Sequence, residues 1–133
     1  MSIFVDTTVW SLALRRDEPG GPFVVELTRA VFGNEQIFTT GLVLQEILQG
    51  VLGPRQRDQI VARLASLHFL QPEWNDHLSA ADLFNRCRRA GIQIESIDAL
   101  YAQLCLRYDL TMLTVDRDFH HMARHCPLKI WKP

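Results

Sequence analysis

The chain has 133 residues, of which 47% are hydrophobic and 22% charged, and its formal net charge at pH 7 is −1. These values predict one globular domain with its own core, and they argue against a membrane span and a strongly basic nucleic-acid binder. Three scattered cysteines argue against a disulfide framework or a cysteine zinc site, and the N-terminus lacks a signal-peptide pattern, so we expect a cytoplasmic protein.

Strand and helix patterns alternate along the chain. The first half is predicted to contain a strand at 2–6, a helix at 7–14, a polar loop at 15–21, a helix at 22–32, a strand at 36–40 and helices at 41–49 and 54–67. The second half is predicted to contain an extended segment at 68–72, a helix at 73–90, a helix at 97–108 capped by Ser96, a strand at 111–115, a turn and helix at 116–126 and a strand at 128–131. Such alternation predicts a three-layer α/β/α domain with a central, largely parallel sheet.

Four acidic residues occupy positions where this fold would bring them together. Asp6 follows the first strand and Asp116 follows a later one, and parallel strands carry their carboxyl ends to one edge of the sheet. Asp98 stands in the first turn of its helix, and Glu46 lies mid-helix among apolar neighbours, where a charge is costly without a partner. Each has an ordinary explanation alone, such as a helix cap, a helix dipole or an amphipathic boundary, but together they favour one shared site.

A hard divalent cation is the explanation that these four carboxylates share. Mg²⁺ or Mn²⁺ prefers oxygen ligands and keeps several waters, so a few converging carboxylates suffice to bind it. Without such an ion, the acids would repel each other and raise one another's pKa. A bound cation can lower the pKa of a water molecule and neutralise the charge that develops on a phosphorane, which is the chemistry that cuts phosphodiesters.

The four acids lie, in order, in the segments FVDTTVW, LQEILQG, IDALYAQL and LTVDRDF. The order and spacing of these segments resemble those of the PIN-domain nucleases, and within them the VapC-like toxins of bacterial toxin–antitoxin pairs. The resemblance extends from Ile3 to Trp131 and implies a single PIN domain over 1–133. The sequence departs from the family pattern at Gln103 and Cys105, where small residues are usual, and at Asp109, where glycine is frequent.

The resemblance also implies a role for each residue that matches a family motif. Its catalytic residues and its ligands for Mg²⁺, or Mn²⁺, fall on Asp6, Glu46, Asp98 and Asp116. Supporting hydroxyl residues fall on Thr7, Thr8 and Thr114. Asp118 matches a frequent second aspartate, for which we expect a peripheral role, orienting Asp116 or a water.

The function that the resemblance implies is a metal-dependent endoribonuclease that acts as a toxin, forms a homodimer and pairs with a VapB-like antitoxin. A basic side chain of that antitoxin would enter the acidic cleft and pair with two of its carboxylates. We expect the apolar residues Trp10, Leu14, Leu48 and Val51 to form an exposed surface that holds an amphipathic helix of the same partner.

Arginines are the expected contacts to RNA. Twelve of the fourteen basic residues are arginine, whose planar fork suits phosphate. Because the net charge is near zero, RNA must be held by a local patch, and the candidates are Arg15, Arg16, Arg86 and Arg89.

Two alternatives are weighed against this function. The chain could be a catalytically silent PIN-like module that binds RNA or protein, although such modules usually lose acids and all four positions are filled here. His120, His121 and His125 could bind zinc, but the glutamate of an H-E-x-x-H motif is absent, which favours a solvated helix face. For Trp10, Trp74 and Trp131, packing in the core or at its rim is favoured over stacking on bases.

Overall fold

Strands and helices alternate in the computed structural model, which describes residues 1–14 and 21–133. The strands are β1 (Ser2–Val5), β2 (Gln36–Thr40), β3 (His68–Leu70), β4 (Thr111–Leu113) and β5 (Lys129–Ile130). The helices are α1 (Thr7–Ala13), α2 (Pro22–Phe32), α3 (Gly41–Gln49), α4 (Pro54–Ala65), α5 (Trp74–Arg89), α6 (Ser96–Tyr108) and α7 (Arg117–Met122). Each predicted strand and helix is present, and the loop predicted at 15–21 lies, except for Gly21, outside the described residues.

The five strands form one parallel sheet in the order β3-β2-β1-β4-β5. β1 is central, because Ile3 pairs with Ile37 of β2 on one side and with Thr111 of β4 on the other. Helices flank this sheet, which confirms the predicted three-layer α/β architecture. The direction in which strands are added reverses between β1 and β4. In open parallel sheets, ligands bind beyond the carboxyl ends of the strands at such a point.

The core forms where the strands meet the apolar faces of the helices. Phe4 of β1, Met112 of β4, Leu104 of α6 and Phe119 of α7 are fully buried. Burying a large apolar side chain contributes about 1.5–3 kcal/mol, so these contacts hold the central strands against the helices. None of the helices in the described ranges is both long and apolar enough to cross a bilayer.

Helices α5 and α6 run antiparallel and in close contact. The carboxylate of Asp76, near the start of α5, pairs at 2.5 Å with Arg107, near the end of α6. Asp76 is buried, and it also accepts the Glu73 N–H at 2.8 Å in a capping box. The far end of α5 therefore lies beside the start of α6, where Asp98 stands.

Both ends of α6 have informative backbone conformations. The predicted N-cap Ser96 is instead the first helical residue, because Glu95 has the extended backbone of a cap and its carbonyl accepts the Ala99 N–H at 3.1 Å. At the other end, Asp109 adopts a left-handed conformation with φ 55°. Aspartate tolerates this conformation better than most residues, which explains how it replaces the glycine of the family pattern. Its carboxylate pairs with Lys129 at 2.8 Å.

The strand predicted at 111–115 is shorter than expected. β4 ends at Leu113, because the chain beyond it bonds to side chains instead of continuing the ladder, as when the Val115 N–H donates to Thr8 Oγ1 at 3.3 Å. Asp6 follows β1 directly, whereas Asp116 is the third residue beyond β4. The two acids are therefore not equivalent strand-end residues, contrary to the sequence prediction.

The three tryptophans differ in their burial. Trp10 is in the core with 6% exposure, and Trp131 is partly buried with its ring 5.4 Å from that of Phe23. Trp74 is 80% exposed, which contradicts the expected packing. The buried face of α5 comprises Asp76, Ala80, Leu83 and Cys87. Because two residues turn an α-helix by about 200°, Trp74 lies on the face opposite Asp76.

Candidate active site

A cleft of about 440 Å³ opens beyond the carboxyl ends of β1 and β4. Its walls bring together all four predicted acids, Asp6, Glu46, Asp98 and Asp116, and add Glu95 and Asp118. Thr7 and Thr8 also line it, and no lysine or arginine is among the described lining residues. The cleft is therefore dominated by negative charge.

Asp6 is the most enclosed of these acids, with 3% of its surface exposed. It occupies the N-cap position of α1, but its side chain makes no capping hydrogen bond, so the ordinary explanation for this residue does not apply. Oδ2 accepts hydrogen bonds from Thr8 Oγ1 at 2.6 Å and from Thr114 Oγ1 at 2.8 Å. Burial raises the pKa of Asp6, and these two hydroxyl groups partly offset the rise. Oδ1 receives no side-chain hydrogen bond from the described residues.

Thr114 connects Asp6 to the loop that carries the last two acids. It is fully buried, and it lies next to Asp6 because the Asp6 N–H donates to the Leu113 carbonyl at 3.0 Å. While its hydroxyl donates to Asp6, the same oxygen accepts the Asp116 N–H at 3.0 Å. Asp116 then caps α7, since its Oδ1 accepts the Asp118 N–H at 2.9 Å. The positions of these acids are thus linked by one chain of hydrogen bonds.

Glu46 is held by two hydroxyl groups rather than by a cation. Thr7 Oγ1 donates to Glu46 Oε1 at 2.9 Å, and the Tyr101 hydroxyl donates to the same oxygen. Burial and the neighbouring carboxylate raise the pKa of Tyr101 far above its usual range, so Tyr101 stays a neutral donor. Tyr101 is a site residue that was not predicted from the sequence. The available signal was its spacing of three from Asp98, which puts both on one face of α6.

The tightest cluster of carboxylates combines Asp98, Asp116 and Asp118. Each offers an oxygen that lies within 4.8 Å of the other two. Asp118 is thus a full member of the cluster by position, which favours a ligand role over the peripheral role expected for it. Because α7 begins at Arg117, Asp118 is its second residue and stays beside the cap, Asp116. Asp6 and Glu46 line the same cleft outside this group of three.

The acids of the cleft perturb one another. Burial first, and then the charges of Asp116 and Asp6, raise the pKa of Asp98 to about 7. Asp98 is only partly buried, so repulsion between carboxylates is a real part of this shift. A compensating positive charge would remove that repulsion.

The chemistry of this cluster fits a hard divalent cation. All three of its potential ligands are carboxylate oxygens, which Mg²⁺ and Mn²⁺ prefer over nitrogen or sulfur. Within residues 1–14 and 21–133, this is the only group of three or more potential metal ligands that lie close enough to hold one ion. The histidines at 120, 121 and 125 form no such group, because α7 ends at Met122 and the helical spacing from His121 to His125 is lost. The zinc alternative is therefore wrong for the described residues.

The candidate RNA-binding arginines lie outside the cleft walls or outside the described residues. Arg15 and Arg16 belong to the latter group. Arg86 and Arg89 are exposed in the last turn of α5, at the end that lies beside the start of α6. Arg86 also donates to the His125 carbonyl at 3.2 Å, which ties this end of α5 to the segment after α7. Both arginines thus lie on the side of the molecule that carries Asp98.

An apolar groove of about 380 Å³ runs between α1, α2 and the end of α4. Its lining includes Trp10, Leu14, Val24, Leu27, Val31 and Phe32. Phe32 is 85% exposed, whereas Trp10 is buried in the floor, so the expected exposed surface is only partly present. Leu48 belongs to a separate hollow between α3 and α4. The expected surface is divided because α1 contacts α2 on one side and α3 on the other.

Comparisons with known proteins extend these observations. A family model described as "PIN domain" matches residues 3–125, whereas no curated protein matches the chain in sequence. Among solved structures, a chain of VapBC2 from Rickettsia felis, in a complex with a DNA fragment from the VapBC2 promoter, is similar to this chain. The TM-score is 0.78 and the sequence identity 17%, over 98% of both chains. FitAcB from Neisseria gonorrhoeae has a chain that matches with a TM-score of 0.70 and 17% sequence identity, over 100% of this chain and 98% of that one. VapC20 from Mycobacterium tuberculosis, a toxin that cleaves the sarcin–ricin loop, matches with a TM-score of 0.71 and 18% sequence identity. The match covers 89% of this chain and 92% of that one. At these identities the structural likeness establishes the fold.

Proposed function

Because the chain belongs to the PIN domain family, we propose that it is a divalent-metal-dependent endoribonuclease and the toxin of a VapBC-like toxin–antitoxin pair. The observation that carries the proposal is the convergence of Asp6, Glu46, Asp98, Asp116 and Asp118 in one cleft. The similarity in fold to VapC20, a toxin that cleaves the sarcin–ricin loop, supports RNA as the substrate class by analogy.

The proposed division of roles follows from the geometry of the cleft. Asp98, Asp116 and Asp118 would hold the cation together with Asp6, and Glu46 would contribute partly through water. A bound Mg²⁺ or Mn²⁺ supplies a positive charge that lowers the pKa of a water molecule and offsets the charge developing on the phosphate. Thr8 and Thr114 keep the Asp6 carboxylate in one orientation, since both donate to Oδ2.

A cleavage assay with a labelled single-stranded RNA tests the enzymatic part of the proposal. Wild-type protein should cleave with Mg²⁺ or Mn²⁺ and stop when EDTA is added. Asp116→Asn keeps the shape of the side chain but removes its charge, so cleavage should fall at least a hundredfold. Asp58→Asn is a matched control, because the Asp58 side chain is 79% exposed on α4 and should leave cleavage unchanged. Cleavage that persists in EDTA, or in Asp116→Asn, would contradict the assignment.

The alternative function, a silent module that binds RNA or protein, makes a different prediction in the same assay. Such a protein would bind RNA, or neither bind nor cut it, at every metal concentration. The filled acid positions disfavour this alternative, because a module that cuts nothing has no use for mutually repelling carboxylates. RNA binding without cleavage in either metal would favour it over the nuclease.

An antitoxin partner is the second part of the proposal. The cleft would accept a basic side chain, and the apolar groove between α1 and α2 would accept an amphipathic helix. Expression of the protein alone should arrest growth, and co-expression of an adjacent small open reading frame should relieve the arrest. Phe32→Glu should abolish this protection without reducing RNA cleavage, because it places a charge in the groove, whose lining shares no residue with the lining of the acidic cleft. Leu52→Glu, at a side chain that is 99% exposed, is the matched control.

A homodimer in the cytoplasm completes the proposed function. The homodimer comes from the resemblance to VapC-like toxins, and the cytoplasmic location is the expectation from the sequence pattern. Light scattering at several protein concentrations measures the mass in solution, and a mass of one 15.3 kDa chain throughout would contradict the dimer. Fractionation of cells that express a tagged copy tests the location.

A further inference from the structure

We propose that Tyr101 is a positioning residue that holds Glu46 in place relative to Asp98, an inference that rests on the proposed nuclease function. Tyr101 is not an acid and offers no carboxylate to a metal. Its role would be to fix the orientation of a carboxylate that does.

The position of Tyr101 in α6 places it beside Asp98 and holds its ring in the core. It lies three residues after Asp98, so the two side chains share one face of the helix. Only 1% of Tyr101 is exposed, and its ring lies 5.2 Å from that of Phe4 in the central strand. The ring therefore has little freedom to move, and the hydroxyl group is held at a fixed depth behind the cleft.

The hydroxyl group of Tyr101 donates a hydrogen bond to a carboxylate of the cleft. Its acceptor is Oε1 of Glu46, on α3, rather than a backbone carbonyl of the core. Thr7, the residue after Asp6, donates to the same oxygen at 2.9 Å. Oε2 of Glu46 receives no hydrogen bond from the described residues. Two donors on one oxygen thus select one orientation of the carboxylate and leave its other oxygen without a protein donor.

The charges of the cleft supply the reason why such a bond is needed. Glu46 and Asp98 are on different helices, and both line a cleft whose charged residues, among those described, are all acidic. Tyr101 links α3 to α6 within one turn of Asp98, and it does so as a neutral donor. A salt bridge from a lysine or arginine at this point would instead compete with a metal ion for the Glu46 carboxylate.

Tyr101→Phe is the direct test, because it removes only the hydroxyl group. Partners that orient metal ligands are typically worth 10–100-fold in affinity or activity, so Mn²⁺ binding by calorimetry should weaken about tenfold or more. We expect kcat for RNA cleavage to fall by a similar factor while KM stays unchanged. Tyr108→Phe is the matched control, since Tyr108 lies on the same helix but is 38% exposed. Wild-type values for Mn²⁺ binding and kcat in Tyr101→Phe would overturn the proposal.

A double-mutant cycle shows whether Tyr101 acts through Glu46. In a Glu46→Ala background, Tyr101→Phe should weaken Mn²⁺ binding no further, because the group it orients is gone. Equal losses in both backgrounds would overturn the proposal, because the hydroxyl group would then act independently of Glu46. If wild-type protein binds Mn²⁺ but cleaves no RNA, the proposed function fails while the cycle still decides the role of Tyr101. A wild type that binds no Mn²⁺ overturns both.

Discussion

The hydroxyl group of Thr114 donates to Oδ2 of Asp6 at 2.8 Å and so joins two residues that lie 108 positions apart in the chain. The same oxygen accepts the Asp116 N–H at 3.0 Å. Thr114 is therefore the point where the acid after β1 is tied to the acids after β4. A valine would fill the same space but could make neither hydrogen bond.

We expect Thr114→Val both to destabilise the protein and to weaken the binding of Mn²⁺ in the cleft. Asp6 Oδ2 keeps only its Thr8 donor, and the Asp116 N–H loses its acceptor. A hydrogen bond typically contributes about 0.5–1.5 kcal/mol, and more when one partner is charged. Urea unfolding measures the stability, and calorimetry measures Mn²⁺ affinity, which should also fall. Thr114→Ser keeps the hydroxyl group and should retain most of the stability and most of the Mn²⁺ affinity. If valine matched wild type, Thr114 would have no part in holding Asp6.

The stability of the metal-free protein should depend on pH through Asp98. Its pKa is raised from 3.8 to about 7 in the folded protein, so the folded state binds this proton more tightly than the unfolded state does. The stabilisation is complete below pH 3.8 and is lost as the pH rises towards and through 7. Asp98→Asn cannot titrate, and in EDTA it should become more stable than wild type as the pH rises.

Thermal unfolding in EDTA between about pH 5 and pH 8 measures this difference. Asp82→Asn, an exposed substitution on α5, is the control that should follow the wild-type pH profile. Added Mg²⁺ should restore wild-type stability at high pH, because the cation offsets both the burial of the Asp98 charge and the repulsion from neighbouring carboxylates that together raise its pKa. A difference between Asp98→Asn and wild type that stays constant with pH would rule out this linkage.

Asp118 should behave as a metal ligand rather than as a peripheral acid. Its carboxylate lies within 4.8 Å of those of Asp98 and Asp116, so Asp118→Asn should weaken Mn²⁺ binding about as much as Asp116→Asn does. His121→Ala is the control, because His121 Nδ1 lies 4.0 Å from Asp118 but belongs to no ligand group among the described residues. Calorimetry decides between the two roles: a peripheral Asp118 would leave Mn²⁺ affinity nearly unchanged.

Arg86 and Arg89 should contribute to RNA binding by neutralising phosphates. For single strands, the slope of log K against log salt changes by about 0.7 for each phosphate that a basic side chain neutralises. Arg86→Gln combined with Arg89→Gln should therefore make the slope shallower in proportion to the phosphates that the pair binds, and should do so for RNAs of any sequence. Arg55→Gln with Arg57→Gln on α4 is the matched control. An unchanged slope in the α5 variant would mean that other residues bind the phosphates.

Short-range sequence patterns were enough to predict the order of the strands and helices along the chain. The apolar run before Asp6, the helical spacing around Glu46 and the glycine and proline boundaries all depend on neighbours within one or two turns. The alternation of these elements leads to a parallel sheet, and a parallel sheet brings the carboxyl ends of its strands to one edge. The convergence of Asp6 and Asp116 on one cleft could therefore be expected from the strand pattern, whereas Glu46 and Asp98, which are on helices, were assigned to it through a shared metal site and the family resemblance.

The tertiary structure decided which atoms meet within that cleft. Tyr101 has the pattern of a core residue, and its hydroxyl group finds Glu46 only because α6 packs where it does against α3 and β1. The end of β4 at Leu113, two residues earlier than its apolar pattern indicates, arises because the Thr8 hydroxyl group of α1 accepts the Val115 N–H in place of a strand partner. Likewise Asp118 joins the cluster because Asp116 caps α7 and turns its first residues towards the cleft. Contacts of this kind join residues that are distant in sequence, so they depend on how helices pack and not on any local pattern of residue types.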